Sequence, residues 1–125
     1  MLEVGMKCVL EKRVEEFEAA SSIGSGGLEV FSTPHLIAFM ERAAYTCVQS
    51  ELPLGDTTVG IEVNIKHLKA TAIGKNIKSV AELVKIDGKK LDFIVTVYEG
   101  EEKIGEGSHS RFIVNGEKFM SKLMK

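Results

Sequence analysis

The chain has no tryptophan, only two cysteines and two prolines, and three scattered histidines among 125 residues. Two cysteines cannot build the disulfide framework that staples small secreted domains. Cys8 and Cys47 each sit in an apolar pattern, which predicts reduced thiols packed as small hydrophobes. Neither Cys-x-x-Cys nor His-Glu-x-x-His occurs, so no metal site and no bound cofactor are expected. Basic charge is not in excess: the formal net charge is −2, which argues against nucleic acid as the main partner. No apolar run approaches the roughly 20 residues of a transmembrane helix. The first residues, "MLEVGMKCVLEKRVEEFEAA", carry charges where a signal peptide needs an apolar core. These absences predict a soluble, cytoplasmic protein without membrane contact.

What is present suits a globular domain, with 44% hydrophobic and 27% charged residues. A chain this long buries roughly two-thirds of its unfolded surface as one domain. There is no repeat and no dividing linker, so residues 1–125 read as a single domain. Residues 6–17 read as a first strand, and "AASSIGSGG" (19–27) as an irregular loop. At "STPHLIAFMERAAYTCVQ" Thr33 is the expected N-cap and Pro34 the first helical residue. Leu36, Met40, Ala43 and Cys47 then recur at helical spacing until Pro53 and Gly55. Beyond them the period changes to two. Val59, Ile61, Val63 and Ile65 alternate with Gly60, Glu62, Asn64 and Lys66, which predicts one apolar strand face ending at His67. "NIKSVAELVKI" and "LDFIVTVYE" are two more strands across a "DGKK" hairpin, and "EKIGEGSHSRFIV" is the last, entered by a turn at Gly100. The expectation is an α+β domain: a mostly antiparallel five-strand sheet with one long helix covering its apolar face.

Five polar positions stand out. Glu41 lies mid-helix among Ile37, Ala38, Ala44 and Tyr45, as either a solvated flank residue, paired to Arg42 or Arg13, or a chemical group. His67 ends a core-facing series, as either a hydrogen-bonded core histidine or an active-site imidazole at the rim. Thr33 brings a hydroxyl to a helix N-terminus, where unpaired N–H groups favour a developing oxyanion. Eight helical residues rise about 12 Å, so Thr33 and Glu41 cannot bond each other directly. His109 and Arg111 alternate with Gly105 and Gly107 on the last strand, as surface or subunit-contact residues; Arg111 has the fork to grip an anionic group. The glycine-rich loop lacks the Gly-Lys-Ser/Thr ending of a phosphate loop. The tail "GEKFMSKLMK" reads as a solvated basic end.

"VFSTPHLIAFMERA", "TTVGIEVNIKHLKATAIG" and "IGEGSHSRFIVNGEKF" together resemble the fluoroacetyl-CoA thioesterase type within the hotdog-fold acyl-CoA thioesterases, over about residues 5–120. The resemblance implies a long central helix wrapped by the sheet, a homodimer with clefts for coenzyme A near the subunit interface, and hydrolysis of an acyl-CoA. It places Glu41 as nucleophile or general base, His67 as the group that orients or polarises, and Thr33 as a supporting hydroxyl. Gly60 stands where the backbone approaches the acyl group, and Arg111 at a ligand-contacting arginine. The family's aromatic lid residue aligns with about Gly27, so the acyl group is expected to be small and is not assigned as fluoroacetyl. The competing reading is a non-catalytic acyl-CoA-binding or regulatory module on the same fold.

Overall fold

A computed structural model describes residues 1–125. The elements are β1 (Lys7–Arg13), a 3-10 turn (Glu16–Glu18), α1 (Ala20–Ile23), α2 (Thr33–Gln49), β2 (Asp56–His67), β3 (Asn76–Asp87), β4 (Lys90–Glu99), β5 (Glu102–Asn115) and α3 (Gly116–Leu123). The five strands form one sheet in the order β1-β3-β4-β5-β2, antiparallel at every step. This is the α+β architecture the sequence predicts. Both β1 and β2 are edge strands.

The helix lies across the sheet because its apolar stripe has nowhere else to go. Leu36, Phe39, Met40, Ala43, Ala44, Cys47 and Val48 are buried on α2. They share one core with Ile77, Ala81, Leu83, Leu91, Phe93, Val95, Val97 and Ile104. Each fully buried Leu, Val or Phe contributes about 1.5–3 kcal/mol relative to exposure, so this layer dominates the fold's stability. The one hydroxyl in its midst, Ser79, donates to the Phe39 carbonyl at 3.1 Å, which removes the penalty for burying it. Both cysteines are unpaired; Cys47 is buried as expected, whereas Cys8, on an edge strand, is only partly so.

The two hairpins close on Gly88 and Gly100, each at φ +61 in the first central position, as type II′ turns require. Local differences from the sequence reading have local causes. The first strand stops at Arg13 rather than running to residue 17, because the chain tightens into the 3-10 turn. There Glu18 is buried and bonded to Lys12 and to the Glu15 N–H. The polar loop after it contains a single helical turn, α1. The basic tail is helical from Gly116, with no buried residue. No helix is long and apolar enough to cross a membrane.

The alternation in β2 breaks at Gly60, and this break shapes the whole site. Gly60 pairs with Arg111 and Glu62 with Ser110, so Ile61 is an extra, unpaired residue in a β-bulge. The bulge switches the strand's faces. Val59 pairs with Phe112 on the sheet's outer side, while Gly60, Val63, Ile65 and His67 face the helix. The sequence reading had Val59 and Ile61 on the side of His67; instead Ile61 is 51% exposed. Beneath the helix, β5 meets its neighbours through glycine. A Cβ on Gly107 would lie 2.2 Å from the Asn64 carbonyl oxygen, and one on Gly105 2.8 Å from the Leu36 side chain.

Candidate active site

The polar residues between α2 and the sheet fall into two groups, one at each end of the helix–strand contact. The first is built on the start of α2. Ser32, not Thr33, is the N-cap; its Oγ accepts from the His35 N–H at 3.3 Å. Thr33 is therefore the first helical residue, and its hydroxyl is free to bond elsewhere. It meets Nδ1 of His67 at 2.8 Å. Pro34 has no N–H and that of His35 is taken by the cap, so the helix end has fewer free donors than the sequence suggests.

His67 Nε2 is buried and has no hydrogen-bond partner. Burial pushes the His67 pKa below the ordinary histidine value of 6.5, and the nearby Lys69 backbone opposes this without meeting Nε2 in a hydrogen bond. A neutral ring at pH 7 follows. In the tautomer with its hydrogen on Nε2, Nδ1 accepts, and the Thr33 hydroxyl has a base at hydrogen-bond distance. The pair lines a cleft of about 340 Å³ with Phe31, Leu68 and Ala70. A larger groove, about 520 Å³ between Arg13, Lys78 and Tyr98, contains none of these groups.

The second group gathers at the β2 bulge. A Cβ on Gly60 would lie 2.8 Å from Glu41 Oε2, 3.2 Å from His109 Cε1 and 3.4 Å from Arg111 Nη1. Only glycine leaves room for those three side chains to converge. Glu41 is neither a freely solvated flank residue nor paired to Arg42 or Arg13; it is half-buried and directed at the strand. Arg111 is 7% exposed and His109 2%, which corrects the expectation that they sit on the surface or at a subunit joint. They belong to the helix side because Arg111 pairs with Gly60, and His109 with Val63.

Arg111 donates through Nε to Thr58 Oγ1 at 2.7 Å and through Nη2 to the Thr58 carbonyl at 3.0 Å. Its Nη1 meets His109 Nε2 at 3.2 Å, and the guanidinium lies over the Tyr45 ring, 5.7 Å from the centroid. Burial lowers the Arg111 pKa, while the Glu41 carboxylate and Tyr45 oppose that. For His109 burial again lowers the pKa; the bond to the Glu62 backbone raises it, Arg111 lowers it and Glu41 raises it. No group of three side chains is placed to hold a metal ion.

The structure thus brings Thr33 to His67, and Glu41 to Gly60 and Arg111, but leaves the two groups apart. Seven steps along an extended strand from Gly60 to His67 cover roughly 20 Å. Thr58, Tyr45 and the role of His109 were not legible in the sequence. Gly105 and Gly107, alternating with His109 and Arg111, were the available signal, since that strand face must lie close to its neighbours.

Residues 14–117 match the family described as Fluoroacetyl-CoA-specific thioesterase. A fluoroacetyl-CoA thioesterase of Streptantibioticus cattleyicolor is 32% identical over 95 residues, 76% of this chain and 68% of the relative. A crystal structure of a mutant of the fluoroacetyl-CoA-specific thioesterase FlK, in complex with fluoroacetate and CoA, superposes with a TM-score of 0.89 at 26% identity, covering 94% of this chain and 99% of that one. A hot-dog-like protein from Thermanaerovibrio acidaminovorans, 16% identical, shares the fold with a TM-score of 0.89 over 98% and 91% of the two chains.

Proposed function

Since the chain belongs to the fluoroacetyl-CoA-specific thioesterase family, we propose that it hydrolyses the thioester of a small acyl-CoA to the free acid and CoA. The observation that carries this reading is the convergence of Glu41 and Arg111 on Gly60, where a carboxylate, a buried cation and bare backbone share one point. Glu41 attacks the thioester carbonyl, giving a mixed anhydride and releasing the CoA thiolate, or it takes the proton of an attacking water. In the first route water then hydrolyses the anhydride and regenerates the carboxylate. Thr33 supports the His67 ring by donating to Nδ1, which leaves the Nε2–H to donate to the developing oxyanion or the leaving sulfur. Arg111 and the Gly60 backbone hold the acyl group. The loop before α2 carries no aromatic residue until Phe31, which is 1% exposed in the core and cannot serve as a lid. Fluoroacetyl-CoA should therefore hold no advantage over other small acyl groups. A screen of CoA thioesters with free-thiol detection tests this. Turnover of short acyl groups is expected; CoA binding without thiol release from short, branched or aromatic thioesters would identify a binding module instead.

The separation of the two polar groups supports a homodimer as the working form. The β2 edge is unpaired and exposes Ile61 and Val63, a liability that pairing with a second copy removes. Antiparallel pairing of two β2 edges runs the Gly60 end of one copy toward the His67 end of the other. Glu41 of one protomer then faces Thr33 and His67 of its partner, and one active site draws on both. Light scattering should report a dimer at micromolar concentration. Mixing Glu41→Gln with His67→Ala protomers should restore activity above that of either impaired parent. Half of the dimers are mixed and one of their two sites is intact, so about a quarter of wild-type activity is expected. No recovery from verified mixed dimers would place the whole site within one chain.

A further inference from the structure

Arg111 matters to the reaction proposed above only if its guanidinium is aimed correctly, and the ring beside it has no freedom of its own. His109 Nδ1 lies 2.8 Å from the Glu62 carbonyl, which can only accept, so Nδ1 carries the hydrogen. Its Nε2 lies 3.2 Å from Arg111 Nη1, which can only donate, so Nε2 is bare. Both partners are one-way, and together they dictate a neutral ring in a single tautomer. Phe93, stacked at 6.3 Å and 29°, holds the ring plane. We propose that His109 is the positioning residue for Arg111: anchored to the β2 bulge through Nδ1, it presents Nε2 as the acceptor that fixes the Nη1 edge of the guanidinium.

The consequence concerns Glu41. Arg111 has five N–H donors. Three are committed, two to Thr58 and one to His109. That leaves two for the substrate side. The Glu41 carboxylate is close by, yet it makes no ion pair with Arg111. Without the acceptor at Nε2, a third buried N–H is left unpaired, and the nearest group able to satisfy it is the Glu41 carboxylate. His109 thereby keeps the cation from capturing the carboxylate that the reaction needs. The effect should appear in kcat, because Arg111 stays on Thr58, and much less in KM.

This inference rests on the thioesterase reading, and two isosteric substitutions with an independent spectroscopic readout separate the two. Asparagine can reproduce the Nδ1 donor to Glu62 but has no atom at Nε2; glutamine can place an oxygen acceptor at Nε2 but gives up the bulge bond. His109→Asn should keep its thermal midpoint and lose about 5-fold in kcat, the scale of one net hydrogen bond. His109→Gln should recover most of kcat at a lower thermal midpoint. The reverse order, a normal Asn variant and a poorly active Gln variant, would mean that His109 serves only the bulge. Nitrogen-15 NMR of the histidine rings and arginine side chains decides the ring state whether or not the wild type turns over. The expected spectrum has protonated Nδ1 and bare Nε2 at pH 7, with Arg111 Nε–H in slow exchange that quickens in His109→Asn. A protonated Nε2, or exchange of Arg111 that the substitution leaves unchanged, would overturn the assignment.

Discussion

Glu41→Gln is expected to lower kcat at least about 10²-fold, the lower range for losing a positioned acid, base or nucleophile. The substitution keeps shape and hydrogen-bonding capacity but removes the charge and the basic oxygen. It also keeps the contact at Gly60, where the space is already limiting. The buried cation Arg111 loses its nearby counter-charge, so a modest loss of stability accompanies the effect. Thermal unfolding should nevertheless find a folded protein under assay conditions. Near-normal turnover in that folded variant would remove Glu41 from the chemistry and leave it a partner of Arg111.

His67→Ala is expected to lower kcat/KM at least about 10-fold while changing the thermal midpoint little. The ring is half-buried at the edge of the helix, its one side-chain bond goes to exposed Thr33, and Nε2 has no partner to orphan. Little structure depends on it. The pH profile carries a second signature. Burial holds the His67 pKa below 6.5, so the ring is neutral at pH 7 and gains its proton only on the acid side of that value. Protonated Nδ1 cannot accept from Thr33, so kcat/KM should fall on the acid side of 6.5, where the buried ring finally takes up its proton. Linkage runs the same way. With the folded pKa depressed, the unfolded chain binds the proton first, and the contribution of His67 to stability declines as pH falls from 6.5 through the lower folded value. In His67→Ala that part of the acid-side decline should be absent. A variant that unfolds easily yet keeps full turnover in the cold would make His67 a structural histidine.

The sequence by itself determined the long helix, the five strands and the layer order. Helical spacing from Leu36 to Cys47, the Asp87-Gly88 and Gly100 turns, and alternation on the strands are local signals, and α2 and the antiparallel sheet follow from them. The chemical candidates were legible as well, because Glu41 interrupts an apolar stripe and His67 ends one. Their grouping was not. A β-bulge adds one residue without altering composition or period enough to be read. Ile61, the inserted residue, looks like a core position and is exposed. That single insertion turns Gly60 toward Glu41 while keeping His67 under Thr33, so two residues of opposite parity share a face. The N-cap moved by one residue for a similar reason: Ser32 and Thr33 are both favourable N-caps, and only the fold shows whose hydroxyl reaches His35 and whose reaches His67. Burial of Arg111 and His109 was likewise a tertiary decision. A charged residue and an imidazole at alternate strand positions read as solvent-facing until the helix that covers them, the Thr58 acceptors across the strand and the Tyr45 ring above are in place. Patterns of apolar residues fix which elements form, since burial rewards them locally and additively. The pairing of polar groups depends on register and distance between segments far apart in the chain, and those quantities exist only once the sheet has closed on the helix.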